Sequence, residues 1–178
     1  YNINKNIFEK LGGTMSKSYN YLTFDPPKDR EKYINKQYCF DLDSSDTFLT
    51  WACLAGCLGI NMEIKNVENQ EWKECKRISA VISNLKKMGV LVEKTLTGLK
   101  ILGKQEIKNR FIETHNDHRL AMAFSLFGTQ NEIEIENYKC TNKTWPDYWT
   151  DMERYGLEIS VKSKKKYNKI ILIGMPNS

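Results

Sequence analysis

The chain repeats itself at a spacing of 71 residues: Asp46, Leu49, Ala52, Glu63, Ile64 and Asn66 return as Asp117, Leu120, Ala123, Glu134, Ile135 and Asn137. Each copy runs from an acidic residue through an apolar helical stretch into a strand. A shorter element occurs three times. Glu9-Lys10-Leu11-Gly12, Lys86-Lys87-Met88-Gly89 and Glu153-Arg154-Tyr155-Gly156 each end a helix with glycine at the left-handed cap, ahead of a strand. After the first two, the strands pair: Thr14 to Ser18 with Tyr21 to Phe24, and Val90 to Thr95 with Leu99 to Leu102, the latter turning at Thr97-Gly98. The unit of helix, strand, helix, strand, strand is thus used about two and a half times, which predicts an α/β (α+β) chain of packed helix and sheet layers.

Within the second copy, Asn116-Asp117-His118-Arg119 stands in front of the run Leu120 to Leu126, which is apolar almost all round. The spacing of Leu120, Ala123, Phe124 and Phe127 predicts a buried helix, with Asn116 or Asp117 capping its first turn. Arg119 is then held beside the positive end of that helix. It either pairs with Asp117 or a neighbouring acid, or shares an anion with the free amides, since helix N-termini accept phosphate and carboxylate.

Three further stretches bring charge to helix starts. Asn69-Gln70-Glu71-Trp72-Lys73-Glu74-Cys75-Lys76-Arg77 leads into a helix with the stripe Ile78, Val81, Ile82, Leu85 and Met88, where Lys73, Glu74 and Arg77 are spaced to share one N-terminal face. Lys143-Thr144-Trp145-Pro146-Asp147-Tyr148 places a proline at a helix start with a lysine just before it. Asp46 opens the helix of the first copy, where capping is its simplest use. Each of these is also what a solvated, salt-bridged turn looks like.

A net charge of +5, with no block of like charge longer than Lys164-Lys165-Lys166, favours small anionic substrates over nucleic acid. The five cysteines show no paired metal spacing; Cys53 and Cys57 lie one helical turn apart in an apolar run, as core residues of a reducing compartment, which predicts a cytoplasmic location. No apolar run is long enough to span a bilayer.

Four motifs in this order resemble one family: Asp43-Ser44-Ser45-Asp46-Thr47-Phe48-Leu49-Thr50, Lys73-Glu74-Cys75-Lys76-Arg77, Asn116-Asp117-His118-Arg119-Leu120-Ala121-Met122, and Cys140-Thr141-Asn142-Lys143-Thr144-Trp145-Pro146-Asp147-Tyr148. From about Ile7 to Val161 the chain resembles the C-terminal lobe of 5-enolpyruvylshikimate-3-phosphate synthase, in the version found inside the pentafunctional arom polypeptide. The resemblance implies repeated βαβαββ units forming one lobe of an inside-out barrel. It implies transfer of the carboxyvinyl group of phosphoenolpyruvate to shikimate 3-phosphate, with no metal or organic cofactor. By the same resemblance, Asp46 takes the proton of the attacking hydroxyl and Glu74 moves a proton on the methylene carbon. Asn69 and Lys73 contact shikimate 3-phosphate, while Arg77, Arg119 and Lys143 surround phosphoenolpyruvate. Glu71 stands where the family usually has arginine, and Lys76 where it usually has an acidic or amide residue. The opposite lobe, needed to close the site, is not in this chain, so the chain alone is expected to show no turnover. The alternatives are an enolpyruvyl transferase acting on a nucleotide sugar such as UDP-N-acetylglucosamine, and a non-catalytic phosphate- or nucleic-acid-binding module of the same fold.

The arom resemblance extends to the tail. With residues 1–160 as the lobe and 161–168 as a basic linker, Lys169-Ile170-Ile171-Leu172-Ile173-Gly174 reads as a buried strand. It would deliver Gly174-Met175-Pro176-Asn177-Ser178 as the start of a shikimate kinase P-loop, a domain that would use ATP and Mg.

Overall fold

Two helices that are apolar nearly all round have nowhere to go but the centre, and the rest of the chain is built against them. A computed structural model describes residues 1–29, 31–43, 45–104, 106, 109–164 and 167–174. The first central helix, α3 (Phe48–Leu58), buries Phe48, Leu49, Trp51, Ala52, Cys53, Ala55, Gly56 and Cys57 and ends on Gly59 in the left-handed conformation. The second, α5 (His118–Phe124), runs on as a 3₁₀ segment at Ser125–Thr129, and Leu120, Ala123, Phe124 and Phe127 are all buried. The two helices pack on one another. Each fully buried Leu or Phe in this centre contributes roughly 1.5–3 kcal/mol.

Around them the described residues form three sheets. In the first, β3 (Gln37–Asp41), β4 (Asn61–Lys65), β6 (Leu99–Lys104) and β5 (Val90–Lys94) lie in that order, with β3 parallel to β4 and the other pairs antiparallel. In the second, β7 (Phe111–Ile112), β8 (Ile133–Glu136), β10 (Tyr167–Gly174) and β9 (Glu158–Lys164) repeat that order and those directions. The element order β3, α3, β4, α4 (Arg77–Lys87), β5, β6 likewise recurs as β7, α5, β8, α6 (Tyr148–Arg154), β9, β10. A 3₁₀ turn precedes both α4 and α6, at Glu68–Trp72 and Tyr138–Lys143. The third sheet is a hairpin of β1 (Thr14–Lys17) and β2 (Leu22–Asp25), which follows α1 (Asn2–Lys10); the short α2 (Glu31–Ile34) leads on to β3. Phe24 meets Phe8 of α1 edge-on at 5.8 Å, while Leu22 stands exposed.

The glycines anticipated at helix ends take positive φ: 86° at Gly12, 73° at Gly89 and 94° at Gly156. Gly98, in the β5–β6 turn, is needed for space: a Cβ there would lie 2.1 Å from the Ile64 carbonyl oxygen.

The tail differs from its expected role. Of the residues read as a linker, 161–164 lie in β9 and 167 and 168 open β10. The strand expected to open a kinase sheet is instead β10, hydrogen-bonded between β8 and β9, with Ile170, Ile171 and Leu172 buried. Leu172 rests where Gly128 has no side chain; a Cβ on Gly128 would come within 2.6 Å of it. One strand cannot fill this slot and also begin a separate sheet. An apolar run specifies that a strand is buried, not which sheet buries it. Met175 to Ser178, the half-motif itself, lie outside the described residues.

Candidate active site

The N-terminal ends of α3, α4 and α5 converge, and Arg77, the first residue of α4, stands where they meet. Its guanidinium is 1% exposed. Nε donates to Asp117 Oδ2 at 2.7 Å, Nη1 to Asp46 Oδ1 at 3.0 Å and to Gln70 Oε1 at 3.1 Å, and Nη2 to Glu74 Oε2 at 2.5 Å. The two carboxylates nearer solvent each reach a second cation. Asp46 Oδ2 is 3.0 Å from Arg119 Nη2, and Glu74 Oε1 accepts from Lys143 Nζ at 3.2 Å. Three cations are thereby matched by three carboxylates.

Local structure explains each placement. Asp117 is extended (φ −96°, ψ 115°) and caps α5 by accepting from the Arg119 amide at 2.9 Å. Its other oxygen is thereby left for Arg77. The turn before it is set by His115 and Asn116, both at positive φ, and by Asn84 of α4, which bonds the Glu113 carbonyl at 2.9 Å and the Glu113 amide at 3.1 Å. Asp46 is not the cap of α3; Thr47 holds that position, which leaves the Asp46 side chain to Arg77 and Arg119. Lys73 to Lys76 form an irregular connection rather than the first turn of α4. Pro146 precedes the N-cap Asp147 of α6, and Lys143 closes the 3₁₀ turn before it.

Of the residues singled out in the sequence, Asp46, Glu74, Arg77, Arg119 and Lys143 form this one network. Asn69 and Lys73 are exposed on the same connection and stand outside it among the described residues. Arg77 donates to four protein acceptors from the first residue of α4. Arg119 (41% exposed) and Lys143 (61% exposed) are the accessible cations. A cleft of about 320 Å³, lined by Asp46, Thr50, Arg119, Met122, Trp145 and Tyr148 among others, opens beside them.

Asp117 was expected to pair with Arg119, not with Arg77, and Gln70 was not anticipated as a buried acceptor. For Asp117 a signal existed, since it is the repeat counterpart of Asp46; nothing local to Gln70 marks it.

The ionisation states follow. The backbone hydrogen bond at Glu74 itself, then Lys143 and Arg77, outweigh burial and hold the Glu74 carboxyl at about 2. Burial, then the Asp117 carboxylate whose Oδ2 accepts from Sγ at 3.7 Å, pushes the Cys75 thiol up to about 12, so it stays protonated. Burial also lowers His118, whose two ring nitrogens have no hydrogen-bond partner in their enclosed position; a neutral imidazole suits that place. Among the described residues, no group of three or more His, Cys, Asp or Glu side chains is arranged to hold a metal ion.

The family model of EPSP synthase (3-phosphoshikimate 1-carboxyvinyltransferase) matches residues 6–152. The 3-phosphoshikimate 1-carboxyvinyltransferase of Nostoc punctiforme is 36% identical over 149 residues, 82% of this chain and 33% of that protein. That of Aquifex aeolicus is 40% identical over 92 residues, 51% of this chain and 21% of that protein. The pentafunctional AROM polypeptide 1 of Lodderomyces elongisporus is 37% identical over 112 residues, 59% of this chain and 7% of that protein. The chain therefore spans a third or less of these relatives. The solved EPSP synthase from Acinetobacter baumannii has the same fold over 89% of this chain and 39% of its own, with a TM-score of 0.68 at 23% identity. The converging helix ends, their matched charges and a match over most of the length lead to one assignment: the chain belongs to the EPSP synthase family.

Proposed function

We propose that this chain is the C-terminal lobe of an enzyme that transfers the carboxyvinyl group of phosphoenolpyruvate to shikimate 3-phosphate and releases phosphate. The observation that carries the reading is Arg77, which ties the two carboxylates suited to proton transfer to the same cation. Asp46 receives the proton of the attacking hydroxyl. Glu74 transfers a proton at the methylene carbon as addition gives way to elimination. One lobe of an inside-out barrel, closing against a second lobe, is the arrangement this requires. The AROM relatives support a place within a multifunctional polypeptide.

Each cation of the network has a carboxylate partner. An entering substrate anion exchanges places with Asp46 on Arg119 and with Glu74 on Lys143, the two exposed cations, while Asp117 keeps its hold on Arg77. Forked guanidinium suits a carboxylate and the lysine ammonium suits a phosphate oxygen. Release from Lys143 brings the Glu74 carboxyl back toward its ordinary range, where it can both take and give a proton. Lys73 and Asn69, exposed beside the network, contact the phosphorylated acceptor. Cations near the departing phosphate stabilise its growing charge.

In the full-length protein with both lobes, Asp46→Asn and Glu74→Gln are each expected to lower turnover by at least about a hundredfold, the usual scale for an acid–base group. Steady-state phosphate release checks this, and near-normal rates in both would refute the roles.

A further inference from the structure

Glu71 is the residue at which this sequence departs from the family's usual arginine, and the structure gives it three partners away from the ion network. Its carboxylate accepts from the Ser79 amide at 3.3 Å and the Ser79 hydroxyl at 2.7 Å, and pairs with the Lys94 ammonium of β5. The side chain is 16% exposed although it lies at the surface. Burial raises its carboxyl, while Lys94 and Ser79 together hold it below the ordinary value.

The helix it serves has no cap of its own. Lys76 occupies the N-cap of α4 without a side-chain hydrogen bond, so the first-turn amides depend on an outside acceptor, and a carboxylate is the favoured one at a helix N-terminus. The residue before Glu71 faces the other way: Gln70 is fully buried and bonds Arg77. Two consecutive residues therefore grip α4 from opposite sides, Gln70 at its first residue and Glu71 at its third. The chain between these grips is a closed ring, with exposed Trp72, Lys73 and Glu74 at its tip.

We propose that Glu71 is a positioning residue for this site, fixing the connection that presents Lys73 and Glu74 by clamping it to Ser79 and Lys94. The proposal rests on the roles given to Lys73 and Glu74 above. Without the clamp, the outer side of the ring is free while Arg77 still holds the inner side. The chain folds, but Lys73 and Glu74 lose their fixed distance from the substrates, and a displacement of about 1 Å in such a site costs up to about a hundredfold in rate.

The test is kinetic, in the full-length protein. Glu71→Ala is expected to raise KM for shikimate 3-phosphate and lower kcat, each by roughly tenfold, in protein whose far-ultraviolet dichroism is unchanged. Hydrogen exchange at the Glu74, Cys75 and Lys76 amides should speed up, with no change in α5. Glu71→Gln keeps an acceptor for Ser79 and should recover most of kcat. Lys94→Met, which leaves the cap in place, should show a smaller rise in KM and remains readable if Glu71→Ala does not fold. Wild-type kcat and KM in Glu71→Ala or, failing that, Lys94→Met, alongside an inactive Glu74→Gln, would overturn the clamp and spare the site. Near-normal turnover in Glu74→Gln would instead overturn the site on which the clamp depends.

Discussion

Arg77 and Tyr148 stand 71 residues apart, each the first residue of the helix that follows a 3₁₀ turn, and each sends a buried side chain toward the central helices. Arg77 meets three carboxylates. Tyr148 meets only neutral oxygens: its hydroxyl shares a 2.6 Å bond with Ser125 Oγ and donates to the Met122 carbonyl at 3.2 Å. The neighbours diverge in the same sense, since Glu74 corresponds to Trp145, which donates to Asp151 at 2.9 Å beside its own helix. One scaffold position is thus a charged hub in the first full unit and a structural seal in the second. The backbone supplies a place where helix ends converge, and the side chain at that place decides whether it can hold anions.

The comparison is tested most severely by removing the hub. Arg77→Met in the full-length protein is expected to lower turnover by about a thousandfold, the upper range for loss of a preorganised electrostatic group. It also leaves Asp117 buried without its counter-charge, a loss of about 3–5 kcal/mol in stability by denaturant titration. Tyr148→Phe, the matching change in the second unit, should cost about 1–3 kcal/mol, two neutral hydrogen bonds, and leave turnover close to wild type. A large kinetic defect in Tyr148→Phe would mean that the two positions are not divided as described.

A smaller effect separates the units by pH. The Glu74 carboxyl lies at about 2 in the folded chain against an ordinary 4.5. A group whose folded value is depressed contributes stability above its unfolded value, and that contribution is lost as pH falls toward the folded one. The contribution of Glu74 is therefore complete above about pH 4.5 and gone near pH 2, and its partial exposure keeps it modest. Glu74→Gln should flatten the acid side of the stability curve in that window, followed by thermal unfolding. Tyr148→Phe, whose hydroxyl bonds neutral oxygens, should leave that slope unchanged.

Much of this was legible in the sequence. Constant spacing between Asp46 and Asp117 or Asn66 and Asn137 reports a repeated backbone, and both asparagines indeed take positive φ, 56° and 42°. Gly12, Gly89 and Gly156 after their helices and the apolar run from Leu120 onward are local signals with local causes. What the sequence withheld is partner choice. The Arg119 side chain pairs with Asp46 rather than Asp117, because one Asp117 oxygen is used in capping and the other faces Arg77. The occupancy of Arg77 by Asp46, Gln70, Glu74 and Asp117 depends on three helix ends meeting in space. The strand of Ile170 to Leu172 was recognisable as buried, but its pairing with β8, which sets Ile170 opposite Ile135, is a long-range contact that no local pattern encodes.

The most direct test is phosphate release from phosphoenolpyruvate by the full-length protein, with and without shikimate 3-phosphate, in wild type and Arg77→Met. Release that requires shikimate 3-phosphate and falls about a thousandfold in the variant is the expected result. Release that ignores shikimate 3-phosphate, or that survives the loss of Arg77, would contradict the view that this ion network is the reacting site.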